Sequence, residues 1–127
     1  MGYDVRITRQ QYWADKNEVK RIGEDEWRAI IETDSQMCLE GVAAVVTPSG
    51  DELVYLNPPL ATWIGHPDGH KVTFDFRRGN IVVKNPDEPT LTKMKELALR
   101  LNARIQGEEG ELYDWKEDDG EDVLRAI

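Results

Sequence analysis

KVTFDFRRGNIVVKNPDEPTLTKMKELALRL, residues Lys71–Leu101, decides the fold. Its opening alternates: Val72, Phe74 and Phe76 against Thr73, Asp75 and Arg77, the two-residue period of a strand with one buried and one wet face. Arg78-Gly79 interrupts that pattern and Asn80–Lys84 resumes it, so the stretch predicts a hairpin. Asn85-Pro86-Asp87-Glu88-Pro89 then punctuates the chain. Asp87 suits a helix N-cap, Glu88 belongs in a first turn, and Pro89 is tolerated there. The spacing predicts a helix over Glu88–Leu101, because Leu91, Met94, Leu97, Ala98 and Leu101 fall within about 120° of arc at the helical period. Such a stripe is a core-facing surface on a helix that covers a sheet.

Working outward, Tyr3–Arg9 reads as a strand, with Val5 and Ile7 alternating against Asp4, Arg6 and Thr8. Gln10–Ile22 reads as a loop anchored by Tyr12 and Trp13. A helix is expected over Glu24–Thr33: three acids open it, favoured by the helix dipole, and Trp27, Ile30 and Ile31 share one face. Val42–Thr47 and Leu53–Asn57 predict a hairpin around Pro48-Ser49-Gly50-Asp51, and Leu60–Ile64 a further short strand. Gly65–His70 is a loop. Ala103–Gln106 and Glu111–Tyr113 predict a last hairpin. Two helices with seven or eight short, hairpin-linked strands make an α+β fold on a mostly antiparallel sheet. At 127 residues the chain has room for one domain, with the acidic segment 107–127 expected to be partly flexible.

The charge is unevenly placed. The chain carries −9, and 107–122 holds nine acids against the single base Lys116, so −8 of it lies there. A polyanionic segment repels nucleic acid and steers a cationic partner. Neither a nucleic-acid partner nor a membrane partner is expected; no apolar run approaches the roughly 18–20 residues that span a bilayer. Cys38 is the only cysteine, which precludes an intrachain disulfide and suits the reducing cytoplasm.

No complete active site is visible, and no enzyme, metal or cofactor is expected. There is no Gly-x-Ser-x-Gly elbow and no phosphate-binding glycine loop. Cys38 reads as a small hydrophobe. His66-x-x-x-His70, with Asp68 as a third ligand, has metal-like spacing, but Gly65, Pro67 and Gly69 exclude the helix that would align the pair. A small metal- or ligand-binding domain or enzyme centred on His66, Asp68, His70 and Cys38 is the alternative reading. A ligand pocket lined by Trp27, Tyr55 and Trp63 is another. Asp75 with Arg77 and Arg78 reads equally as a polar site or as cross-strand ion pairing. Asp118-Asp119 has the chemistry to bind a hard cation but lacks EF-hand spacing, and reads as hydrated acids.

Three stretches carry a resemblance: Tyr3–Arg9 with Trp13; the Glu26-Trp27 helix; and Ile81–Glu88 with the Met94 helix and Ala103–Tyr113, including Gly107-Glu108-Glu109-Gly110-Glu111. Together they resemble a family of small bacterial proteins associated with immunity proteins of contact-dependent growth inhibition and other polymorphic toxin systems. The middle of the chain, 38–70, lies outside the resemblance. The resemblance implies a non-enzymatic cytoplasmic protein that binds and neutralises a cognate toxin domain with a basic cleft. The contact surface expected from the charge is Glu108, Glu109, Glu111, Asp114, Glu117, Asp118 and Asp119, with Tyr113 and Trp115 as aromatic anchors.

Overall fold

The computed structural model describes residues 3–16, 20–118 and 121–126; for Val45 and from Asp114 onward the description covers the backbone alone. The elements run β1 (Asp4–Thr8), α1 (Glu24–Glu32), β2 (Met37–Leu39), β3 (Val42–Val46), β4 (Glu52–Leu56), β5 (Ala61–Trp63), β6 (Val72–Arg77), β7 (Asn80–Lys84), α2 (Glu88–Arg100), β8 (Arg104–Gly107), β9 (Leu112–Asp118) and β10 (Glu121–Ala126). Eight strands form one sheet in the order β10-β9-β8-β1-β7-β6-β5-β2, and β3 pairs only with β4. Every paired strand is antiparallel, so the fold is α+β as the sequence predicts.

The β6–β7 connection shows why the sheet has this register. Arg78 and Gly79 both have positive φ, 50° and 79°. That is the mirror-image two-residue turn whose twist matches a hairpin. It sets Arg77 opposite Asn80 and Phe76 opposite Ile81. The next strand continues the row: Ile81 faces Ile7, and Ile7 faces Ile105 across β8. These side chains, with Val5 and Val83, form one apolar face of the sheet. Trp27, Ile30 and Ile31 of α1 and Met94, Leu97 and Ala98 of α2 bury that face. Trp27 is fully enclosed, and its Nε1–H donates to Pro59 O at 2.8 Å.

The opposite face is less open than the alternation suggests. The loop after β1 folds across it: Trp13 N–H donates to Gln106 Oε1 (2.6 Å), and Gln106 Nε2–H donates to Gln11 O (3.0 Å). Trp13 anchors the loop on this face and not onto the core as expected, whereas Tyr12 stays 40% exposed. Further along, the β3–β4 hairpin roofs Asp75, which is buried and not wet. Asn57 Nδ2–H donates to Asp75 Oδ1 (2.7 Å) and to Phe76 O (2.8 Å), fastening the base of the hairpin.

Three elements differ from expectation. The three-residue β2 is too short for a periodic signal and exists through its pairing with β5. The strand expected to start at Leu60 starts at Ala61, since Leu60 N–H closes a turn onto Asn57 O. The last hairpin extends well past Tyr113: β9 runs to Asp118 and pairs with β10 along six residues. Among the described residues no helix is long and apolar enough to cross a membrane.

Candidate functional site

The expected contact residues divide into two groups. Glu108 and Glu111 already serve the fold. Glu108 Oε1 accepts from the Asp4 N–H at 2.9 Å. Glu111 accepts the Tyr3 hydroxyl through Oε2 and the Glu109 N–H through Oε1 (3.1 Å). The Tyr3 contact holds the Glu111 carboxyl below its ordinary value and raises the Tyr3 hydroxyl. Both carboxylates therefore lock the β8–β9 turn onto β1. Tyr113 is partly buried against the core; burial, with Glu111 nearby, raises its hydroxyl. Of these residues Glu109 alone is exposed.

The second group sits on the outermost strand pair. Glu117 is the register partner of Asp122, Asp118 of Glu121, and Trp115 of Leu124. Asp114 pairs with Arg125. Acids thus occupy register-paired positions at the tip of β9–β10. Asp119 and the side chains of Asp114, Trp115, Glu117 and Asp118 lie outside the described residues.

A different surface emerges at the other end of the sheet. The β3–β4 hairpin exposes Val42, Val46, Leu53, Val54, Tyr55 and Leu56 to between 40% and 74%. Successive β4 residues point to opposite faces, so both faces of the hairpin are apolar and exposed. A free two-stranded hairpin is marginal in water. This one is held at its base by Asn57, Gly41 N–H to Leu60 O (3.1 Å) and Asn57 N–H to Gly41 O (3.0 Å). Its tip is closed by Thr47 N–H to Asp51 O (2.8 Å) and Ser49 Oγ–H to Asp51 Oδ2 (3.1 Å). Sequence reasoning found the hairpin but not its exposure. Val42–Val46 is a continuous apolar run, and such a run reads as a buried strand.

The histidine pair is also brought together. His66, His70 and Asp87 present ligand atoms within 4.8 Å of one another, with Asp87 standing where the sequence suggested Asp68. His66 Nδ1 accepts the Asp68 N–H (3.0 Å), so Nε2 carries the proton and donates to Asp87 Oδ2 (2.7 Å). The same carboxylate caps α2 through Thr90 N–H (3.1 Å) and accepts the Thr90 hydroxyl (2.5 Å). The Thr90 hydroxyl, then His66 and the Thr90 amide, pull the Asp87 carboxyl down to about 2 against a burial effect of opposite sign. The His70 ring lies on the His66 ring, centroids 3.9 Å apart. Both His66 nitrogens and the Asp87 carboxylate are engaged within the protein, and together they clasp the 65–70 loop to the start of α2. Cys38 takes no part; its Sγ–H donates to Thr62 O at 3.7 Å.

The aromatic pocket expected from Trp27, Tyr55 and Trp63 is not formed. Both tryptophans are core residues, while Tyr55 lines a surface groove of about 660 Å³ between the hairpin and the sheet. Compared with family models, with curated proteins and with solved structures, the chain matches none of them.

Proposed function

We propose that this protein is a non-enzymatic immunity-type inhibitor that acts in the cytoplasm by binding a toxin domain. The observation that carries a protein-binding role is the β3–β4 hairpin, which leaves six large apolar side chains exposed. Contiguous exposed apolar surface of this kind is a protein interaction site. The acidic β9–β10 pair complements it by attracting a basic partner over long range. The resemblance in the β1, α1 and β6–β8 regions supports the immunity assignment. The hairpin belongs to the 38–70 segment outside the resemblance, where a surface fitted to one particular toxin belongs. An interface of standard size, about 1,600 Å² in total, needs more than the hairpin alone and would extend over the adjoining groove.

The test is to search the neighbouring genes for a toxin domain and to measure its binding to this protein. Val54→Asp with Leu56→Asp is expected to raise Kd about 30-fold or more, the effect of losing a hot spot. Both side chains are more than half exposed, so the fold tolerates the change. Neutralising Glu117, Asp118 and Asp119 is expected to slow association and flatten its salt dependence. A toxin domain that does not bind the wild-type protein would sink the proposal, and unchanged affinity in the hairpin variant would remove the hairpin from the interface.

A further inference from the structure

Three buried side-chain nitrogen or oxygen atoms have no hydrogen-bond partner among the described residues: Arg6 Nη1, Arg21 Nε and Asn80 Oδ1. All three residues line one cavity of about 580 Å³, on the sheet face opposite the helices, between β1, the β6–β7 turn and the loop after β1. A buried donor or acceptor without a partner bears the full cost of leaving water. Their three residues share the wall of that one cavity, which gathers two guanidinium groups and an amide at one place.

The walls are built and held. Asn80 is 6% exposed, and its Nδ2–H donates to Trp13 O at 2.9 Å. That bond fixes the amide and leaves Oδ1 as an acceptor. The Arg6 side chain is 11% exposed and its guanidinium stacks 3.6 Å over the Trp13 ring. Its contact with Asp4 Oδ2, at 3.7 Å, is too long for a hydrogen bond, and Glu108 attracts it from further off. Arg21 is pinned to the turn: Ile22 N–H donates to Gly79 O, and a Cβ on Gly79 would stand 2.4 Å from the Arg21 Cβ. Among the described residues, Lys16, Arg77 and Arg78 complete a wall of five cationic residues, with Asp15 as the acid that lines it; Arg77 is also paired with Asp75 at 2.5 Å. In a chain of net charge −9 this is a local reversal of sign.

We propose that this cavity binds a small molecule bearing a phosphate group. Guanidinium donors set in a fork match tetrahedral oxyanions. The volume lies in the range of small-ligand pockets and leaves room beyond the phosphate itself. The Asn80 acceptor distinguishes phosphate from sulfate. It requires a hydroxyl or N–H on the ligand, which hydrogen phosphate or the organic part of a phosphate ester supplies and sulfate lacks. The proposal does not rest on the inhibitor reading, although Arg77 lines both this cavity and the groove beside the hairpin.

Calorimetric titration of the full chain with inorganic phosphate, ribose 5-phosphate, sulfate and a short oligonucleotide tests this. Both phosphates are expected to bind, ribose 5-phosphate more tightly if the cavity serves an ester and equally if it serves free phosphate. Sulfate is expected to bind about tenfold more weakly, the worth of one hydrogen bond. Arg21→Gln is expected to weaken phosphate binding at least about tenfold. Arg104→Gln, an exposed change on β8, leaves it unaltered. Thermal melts of each variant without ligand establish that the fold persists. No phosphate binding at millimolar concentration, equal binding of sulfate, unaltered binding in the Arg21 variant, or binding of oligonucleotide alone would each overturn the proposal.

Discussion

Lys93 shows how far one residue can depart from its sequence context. It lies in α2 beside Met94 and is buried, its side chain 4% exposed. The Nζ donates to Asp34 Oδ2 at 2.6 Å and to Glu96 Oε2 at 2.7 Å. Burial alone would raise the Asp34 carboxyl, but Lys93 and the Gln36 N–H more than offset it and hold the group below its usual value. The pair ties α2 to the turn between α1 and β2. Lys93→Met leaves a carboxylate of 9% exposure without its cation. The expected loss is about 3–5 kcal/mol by urea denaturation. Pairing the change with Asp34→Leu should recover most of that loss, since the uncompensated charge is then removed as well. Nothing in the α2 periodicity reveals this contact, because Asp34 is 59 residues away.

At the scale of elements, α2 is the best-specified segment. Asp87 caps it as the sequence predicts, and the helix ends at Arg100 with Leu101 as its C-cap. The cap also holds His66, so a helix signal and a loop clasp converge on one carboxylate. Asp87→Ala is expected to cost about 1 kcal/mol at neutral pH. The folded carboxyl titrates at about 2, below the ordinary unfolded value near 4. Its contribution is therefore complete above pH about 4 and is lost as pH falls toward 2. Thermal denaturation across that window should show the wild type converging on Asp87→Ala. Asp87→Asn should keep the cap and lose the pH dependence. The β3–β4 hairpin shows the opposite balance: turn chemistry at Ser49-Gly50-Asp51 sets its shape, but its own strands do not bury it.

For the whole molecule, the decisive feature is where charge and apolar surface lie. The sheet carries its acids at the β10 end, and the exposed apolar arm follows the strand at the β2 end. Between them lies a basic cavity on the face away from the helices. The acidic end should carry a cost in stability. Glu117→Gln with Asp118→Asn removes two like-charge cross-strand pairs. The expected gain is about 0.2–1 kcal/mol per pair at low salt, shrinking as salt is added, read from denaturation midpoints at two ionic strengths. A gain in stability together with slower association with the proposed partner would mark the acids as retained for binding.

The α+β class, both helices, the β6–β7 hairpin and the segregation of charge are legible in the chain before it folds. These are local properties: periods of two and 3.6 residues, an N-cap, a turn dipeptide and a run of acids. The tertiary structure alone decided what each surface became. It turned Glu108 and Glu111 inward to hold the β8–β9 turn, and it buried Asp75 beneath a hairpin. It left an apolar run exposed and gathered Arg6, Arg21 and Asn80 around one cavity. Each outcome depends on contacts between residues far apart in the chain, and local pattern carries no information about which distant group will cover, pair with or abandon a side chain.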